Sequence, residues 1–127
     1  MDYKKSMNKK VKNFIRSPKV IFDGLEQDFI DKQNILACPA CEGQLGFTLR
    51  NATYFKYIDE GLKNHLIASI KAIKGNSGSY YYKKSGIYVC TSQCEFNHHK
   101  YNVAFTFEEV QPARYVSWLI GMVEEQC

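Results

Sequence analysis

Long apolar runs are absent from this sequence. None of its stretches approaches the roughly 18 consecutive apolar residues that a membrane-spanning helix needs. Residues 1–12 are polar and basic, so they lack the apolar segment of a secretion signal. We therefore expect a protein that does not cross a membrane and that works inside the cell, in the cytoplasm or in the nucleus of a eukaryote.

Common catalytic motifs are also missing. The chain contains no glycine-rich phosphate-binding loop and no serine nucleophile motif. Its adjacent carboxylates, Glu108-Glu109 and Glu124-Glu125, have no predicted partner. The sequence therefore predicts a protein that is not an enzyme and has no small-molecule substrate, and it leaves the oligomeric state open.

Cysteine is scarce, but four of the five cysteines come in pairs. Cys38 and Cys41 are separated by two residues, and Cys90 and Cys94 by three. In a reducing compartment, grouped cysteines favour metal or redox chemistry over disulfides. Two short loops with two thiolates each can supply the four tetrahedral ligands of a structural zinc ion. The sequence therefore predicts Zn²⁺ held by Cys38, Cys41, Cys90 and Cys94.

Both pairs also resemble the knuckles of rubredoxin-like zinc-ribbon proteins. The segment Cys38-Pro39-Ala40-Cys41-Glu42-Gly43-Gln44-Leu45 is similar to a first knuckle, and Tyr88-Val89-Cys90 followed by Cys94 is similar to a second knuckle on a strand. Pro39 fixes one backbone angle, and Gly43 lets the chain turn tightly enough for amide groups to point at the sulfurs. The resemblance implies a structural zinc site with all four positions taken by protein.

The chain departs from the zinc-ribbon pattern in its spacings. Gly43 follows the second cysteine by two positions instead of one, and the second pair is spaced by three residues instead of two. Residues 42–89 place 48 residues between the pairs, where zinc sites commonly have about 15–20. The entropic cost of closing a loop grows only with the logarithm of its length, so a metal site remains feasible if the insert has structure of its own.

Two histidines leave the ligand set open. His98 follows Cys94 by a spacing that a cysteine–histidine ligand pair can also use, so His98 or His99 can substitute for a cysteine. The same pair, with Asn102 nearby, invites a weaker comparison with HNH-type nucleases.

The first cysteine pair also has the spacing of a thioredoxin-like redox site. That fold requires a helix directly after the pair. Here Glu42-Gly43-Gln44-Leu45-Gly46 is a poor helix start because it contains two glycines. The second cysteine pair would also be left without a role.

Positive charge is concentrated at the N-terminus. Residues 1–20 carry a formal charge of +6, and the whole chain carries +4, so the remaining residues sum to −2. Such an arm can bind a nucleic-acid backbone without reading its sequence, although it is equally well a solvated tail. The candidate nucleic-acid contacts in it are Lys5, Lys9, Lys10, Lys12 and Arg16.

A second basic and aromatic segment lies between residues 80 and 101. Aromatic rings can stack on bases while lysines hold phosphates. The alternative is that tyrosines alternate along a strand and cover a half-buried sheet face. The candidate contacts here are Tyr81, Lys83, Lys84 and Lys100.

Hydrophobic spacing predicts an α+β fold. We expect helices over about 18–33, 56–74 and 112–125, a strand over 45–49, a hairpin of 80–84 with 87–90, and a strand over 101–107. With 127 residues the chain suits one domain, residues 18–127, preceded by the basic arm 1–17. The predicted architecture is a small antiparallel sheet with two or three helices, in which a helical insert interrupts the zinc knuckles.

These patterns favour a non-enzymatic zinc-binding module that associates with nucleic acid, in transcription or RNA handling. The competing hypothesis is a protein-binding adaptor or inhibitor, such as a phage or viral regulator of a host complex. An HNH-like nuclease and a thiol redox protein are weaker hypotheses.

Overall fold

The computed structural model describes residues 13–15, 17–70, 73–74, 80–96 and 99–125, with 73–74 described by their backbone. Two α-helices, a short 3₁₀ turn and ten strands lie within these ranges. In chain order they are β1 (Lys19–Gly24), α1 (Glu26–Ile30), β2 (Asn34–Ala37), β3 (Gln44–Phe47), β4 (Thr53–Tyr54), the 3₁₀ turn (Phe55–Tyr57), α2 (Glu60–Ile67), β5 (Ile73–Lys74), β6 (Tyr80–Tyr82), β7 (Ser85–Gln93), β8 (Lys100–Thr106), β9 (Glu108–Gln111) and β10 (Arg114–Glu124).

Eight of these strands form one antiparallel sheet. Its main order is β1-β10-β8-β7-β6-β5, and β4 pairs with β7 while β9 pairs with β10. Strands β8 and β9 follow one another along the same side of β10, so the three make one long hairpin. Strands β2 and β3 form a separate two-stranded hairpin.

The predicted α+β fold class is therefore wrong, because the described chain is mostly β-structure. The predicted helix over 112–125 is strand β10. A register shift between Leu119 and Gly121 changes which residues face each side of the sheet. Trp118, Ile120 and Val123 consequently share one face, at spacings that a strand produces only with such a bulge. Because β10 is buried on both faces, its apolar residues recur at spacings that are typical of a helix, and the sequence pattern therefore predicted one.

The other predictions of local structure had mixed outcomes. The region predicted as a helix over 18–33 is β1 followed by the short helix α1. The predicted helix over 56–74 is confirmed only at its centre, as α2, where the Asp59 side chain accepts a hydrogen bond from the Leu62 amide. The strands predicted over 45–49 and 101–107 are confirmed as β3 and β8. The predicted hairpin of 80–84 with 87–90 is confirmed as β6–β7, but its turn is Lys83-Lys84, and Ser85-Gly86, predicted as the turn, belongs to β7.

Both faces of the large sheet are covered. One face packs against the β2–β3 hairpin and α1 through a core that includes Phe29, Phe47, Tyr101 and Phe105. The opposite face packs against α2 through a core that includes Leu66, Ile87, Ala104, Ile120 and Val123. The first core also contains Cys38, Cys90 and Cys94, with Cys41 packed against it, so the cysteines lie on the face of the sheet that the β2–β3 hairpin covers.

The predicted arm and domain remain a prediction, since residues 1–12 and 16 lie outside the described ranges. Residues 13–15 already contact the sheet. The Phe14 amide donates to the Met122 carbonyl over 3.0 Å, and the Phe14 ring meets Tyr101 edge-on. No helix in the described part of the chain is long and apolar enough to cross a membrane.

Candidate metal centre

The turn between β2 and β3 carries the first two sulfurs. The Cys38 amide donates to the Gly43 carbonyl over 2.7 Å, and the Glu42 amide donates back to the Cys38 carbonyl over 2.8 Å. These bonds close a tight turn around Pro39 and Ala40. The segment that resembles a first knuckle is therefore the turn of the β2–β3 hairpin, which we call the knuckle hairpin, residues 34–47.

The loop between β7 and β8 carries the other two ligand atoms. Cys94 directly follows β7 and His99 directly precedes β8, and the Cys94 amide donates to the His99 carbonyl over 2.7 Å. This loop docks on the knuckle hairpin through Glu95. Its amide donates to the Gln44 carbonyl over 3.2 Å, and its carboxylate accepts from the Gln44 amide over 3.0 Å.

Four side chains from these two turns converge. One ligand atom from each of Cys38, Cys41, Cys94 and His99 lies within 4.8 Å of the other three. The Cys38 Sγ is 3.9 Å from His99 Nδ1, and the Cys41 Sγ is 3.0 Å from the Cys94 Sγ. Cys38 and Cys94 are buried, while Cys41 and His99 are half-buried, and the three cysteines are free thiols.

Cys90 lies outside this cluster, so the predicted set of four cysteines is not the set that the structure brings together. Cys90 is within strand β7, and four residues of extended chain span about 13 Å. A strand therefore cannot place the thiols of residues 90 and 94 on one ion. The Cys90 thiol instead lies in the core, 3.7 Å from the Thr91 carbonyl. His98 lies outside the described residues.

The cluster suits a metal ion by its ligands and its size. Three thiols and one imidazole are a common ligand set of structural zinc sites. With Zn–S bonds of about 2.3 Å and Zn–N bonds of about 2.0 Å, a tetrahedral site places sulfur and nitrogen about 3.5 Å apart and two sulfurs about 3.7 Å apart. The Cys38 Sγ–His99 Nδ1 distance of 3.9 Å is slightly longer than the first value. The Cys41 and Cys94 sulfurs, at 3.0 Å, would have to separate slightly. The structure is therefore compatible with a metal-binding module.

The electrostatic environment favours a thiolate at Cys38. Burial alone would raise the pKa of this thiol, but hydrogen bonds from the Tyr101 hydroxyl and the Ala40 and Cys41 amides lower its pKa to about 6. The Tyr101 Oη is 3.3 Å from the Cys38 Sγ. Burial and the same hydrogen bond raise the pKa of Tyr101, which therefore remains a hydrogen-bond donor. The predicted orientation of amide groups towards the sulfurs is confirmed.

Two further thiols, those of Cys41 and Cys90, have raised pKa values. The Cys94 sulfur beside it is the largest influence that raises the pKa of Cys41, against a lowering hydrogen bond from the Gly43 amide. Burial raises the pKa of Cys90. A cation bound by Cys41 and Cys94 would remove the reason for the first of these shifts, because it stabilises both sulfurs as thiolates.

The two residues after Cys41 have separate roles in the turn. Glu42, directly after the cysteine, has φ of 64°, a left-handed conformation that a side chain disfavours. Gly43 is required for close packing instead, because a Cβ there would lie 2.6 Å from the Phe96 ring and 3.1 Å from the Cys94 sulfur. Because the glycine comes one position later than in the zinc-ribbon pattern, the positive φ falls on Glu42, whose backbone is strained.

We expect Glu42→Gly to stabilise the protein by about 0.5–1 kcal/mol, because glycine adopts positive φ without a steric penalty. Glu42→Ala is the matched control, since it removes the carboxylate but keeps a Cβ. Denaturant unfolding of the metal-loaded proteins measures both. Equal stability of the two variants would show that φ at residue 42 carries no strain.

The predicted nucleic-acid contacts do not form one patch. Tyr81, Lys83 and Lys84 lie at the tip of the β6–β7 hairpin, whose turn is Lys83-Lys84 with positive φ at both residues. Lys100 begins β8, near the metal cluster and at the opposite end of β7. Lys5, Lys9, Lys10, Lys12 and Arg16 lie outside the described residues.

Lys83 is held by aromatic side chains. Its Nζ lies 4.8 Å from the centre of the Trp118 ring and 5.7 Å from that of Tyr82. These two rings belong to the core on the α2 side of the sheet. Lys83 therefore points away from the face that carries Tyr81.

Comparisons with known proteins find no similar family, curated protein or solved structure. The resemblance to zinc ribbons therefore rests on the knuckle hairpin and the ligand cluster.

Proposed function

We propose that this chain is a non-enzymatic module in which a structural zinc ion, held by Cys38, Cys41, Cys94 and His99, fixes the knuckle hairpin onto the large sheet. The main support for this proposal is the position of the four ligand atoms. They come from two turns that are far apart in sequence, yet the atoms lie within 4.8 Å of one another. When bound, zinc supplies a crosslink between these turns.

The ligand environment supports a structural role. A structural zinc site uses four protein ligands, whereas a catalytic site keeps one position open for water. Three thiolates and an imidazole fill all four positions. Cys38 also has a hydrogen-bond partner of its own in the Tyr101 hydroxyl, and such partners orient ligands and strengthen metal binding.

We propose further that this scaffold associates with nucleic acid. Supporting this role are Lys84 at the β6–β7 turn and Tyr81 beside it, together with the basic sequence of residues 1–12. The zinc ion itself would make no contact with nucleic acid, but as a crosslink it would keep the sheet face in a fixed shape.

Cobalt substitution tests the zinc site. The protein reconstituted with Co²⁺ should develop the strong visible absorption of a tetrahedral ion and the near-ultraviolet bands of thiolate ligands, because the four ligands are predicted to be three thiolates and an imidazole. Zinc should bleach these bands by displacing the cobalt. A weak, octahedral-type spectrum without thiolate bands would contradict the proposed site.

A further inference from the structure

Four tyrosines from three separate chain segments meet on one face of the large sheet. They are Tyr54 of β4, Tyr57 of the 3₁₀ turn, Tyr81 of β6 and Tyr88 of β7, and we call them the tyrosine cluster. Tyr54 lies opposite Tyr88, and Tyr81 lies opposite Gly86, two residues before Tyr88. Residues opposite one another, and residues two apart on a strand, share a face.

The rings of the cluster are close together. The centre of the Tyr54 ring is 5.4 Å from that of Tyr88 and 6.4 Å from that of Tyr57. Tyr54 also lies directly over Gly86, where a Cβ would approach its hydroxyl to 2.3 Å. Burial raises the pKa of Tyr54, and the neighbouring Tyr81, Tyr88 and Tyr57 phenols raise it further.

The neighbouring tyrosines of β6 have a different role. Tyr80 packs on the Phe55 ring at 5.2 Å, and Tyr82 packs on Trp118 at 5.8 Å, both in the core under α2. They cover a half-buried sheet face, as the alternative interpretation of the sequence expects. The tyrosine cluster differs through Tyr57, which is 73% exposed. Its other members are half-buried, as Tyr80 and Tyr82 are, and Tyr88 also stacks on Phe105 at 6.0 Å.

The hydroxyl groups of the tyrosine cluster have no hydrogen-bond partner among the described residues. None of its four hydroxyls makes a hydrogen bond to another described residue, whereas the buried Tyr101 hydroxyl bonds to Cys38. The four phenol groups therefore have donor capacity that no described residue uses. Exposed lysines flank them, with Lys56 next to Tyr57 and Lys84 two residues before Gly86.

We propose that the tyrosine cluster, with Lys56 and Lys84, binds single-stranded nucleic acid. Ring faces stack on bases whatever the sequence, while hydroxyl and ammonium donors bind phosphate oxygens. A single strand fits better than a duplex, because paired bases hide their faces. This inference rests on the nucleic-acid role proposed above and assigns it a surface.

Fluorescence anisotropy of a labelled 20-nucleotide oligothymidylate, with the full-length zinc-loaded protein at 50 mM salt, tests the surface. Tyr57→Ala should weaken binding about tenfold, because stacking on one base is lost. Tyr57→Phe retains the ring and should stay within about threefold of the parent. Ile35→Ala is the control for an exposed apolar side chain, since Ile35 is 51% exposed on β2, and it should bind like the parent.

Salt dependence tests the lysines. Lys84→Gln should reduce the slope of log affinity against log salt by about 0.7, the value for one phosphate contact on a single strand. Lys32→Gln, also exposed but located beside β2, should leave the slope unchanged. A slope that is the same in both variants would contradict a phosphate contact at Lys84.

The remaining outcomes separate the two proposals. If Tyr57→Ala binds normally while joint replacement of Lys9, Lys10 and Lys12 abolishes binding, nucleic-acid association stands and the tyrosine surface is wrong. Equal affinity for a duplex of the same length would also overturn the surface. If no oligonucleotide binds at 50 mM salt, both the surface and the nucleic-acid role are wrong, and a protein partner becomes the explanation of the exposed tyrosines.

Discussion

Removing zinc with a strong chelator should lower the thermal midpoint by more than about 15 °C. Binding of a structural zinc ion contributes on the order of 10 kcal/mol, which is comparable with the whole stability of a small domain. For a chain of this length each kcal/mol corresponds to about 3–5 °C. The proposed zinc ligands come from two turns that otherwise meet through a few hydrogen bonds, such as those between Glu95 and Gln44.

Hydrogen exchange can locate this loss. After chelation, the amides of Cys38 and Glu42 in the knuckle hairpin and of Cys94 in the β7–β8 loop should lose protection first, because the proposed zinc ion would hold both turns. Amides in the centres of β7, β8 and β10 should keep more protection, since both faces of these strands are buried. Unchanged protection of the Cys38 amide after complete metal removal would contradict the crosslink.

Phe29→Ala should destabilise the protein by about 3–5 kcal/mol, the range for truncating a fully buried phenylalanine. Phe29 is 0% exposed. It packs between Phe22 and Phe107, with ring centres at 5.0 and 4.7 Å, and against Phe105. These contacts join α1 to the sheet, so their loss leaves a cavity that the rigid strands cannot fill.

Phe96→Ala is the matched control, because Phe96 is 65% exposed. It should cost less than about 1 kcal/mol in denaturant unfolding. Both variants should still bind one zinc ion per chain, since neither residue is a ligand. Similar losses of stability in the two variants would mean that the aromatic core around Phe29 does not carry the fold.

Sequence patterns predicted local strands better than the architecture. The alternation from Tyr101 to Phe107 predicted β8 because its large side chains face one core while Asn102, Ala104 and Thr106 face the other. The pattern failed for β10, where a bulge shifts the alternation and both faces are apolar. Periodicity alone cannot distinguish that strand from a helix, because the deciding contacts come from β1 and β8.

Prediction of the metal ligands from the sequence was limited in the same way. The first pair, Cys38 and Cys41, was predictable because both lie in one tight turn. The spacing of Cys90 and Cys94 resembled a second knuckle, but it lacks a turn between the two thiols. A continuous strand before residue 94 and another from residue 100 would have indicated that Cys94 and His99 flank one loop. The sequence left His99 as an alternative and could not decide for it.

The tyrosine cluster illustrates a further limit. Tyr81 was a candidate contact, but Tyr54 and Tyr57 were not, because they lie 27 and 24 residues before it in the sequence. Only the pairing of β4 with β7 and of β7 with β6 brings them together. Lys100 was grouped with Tyr81 by nearness in sequence, yet the length of β7 separates them.

The most direct test of the account is the zinc content of three purified proteins, measured by elemental analysis. The parent chain and Cys90→Ala should each contain one zinc per chain, because Cys90 lies in the core away from the ligands. His99→Ala should lose most of its zinc, because one of the four ligands is gone. Zinc retained by His99→Ala and lost by Cys90→Ala would contradict the account and restore the four-cysteine site.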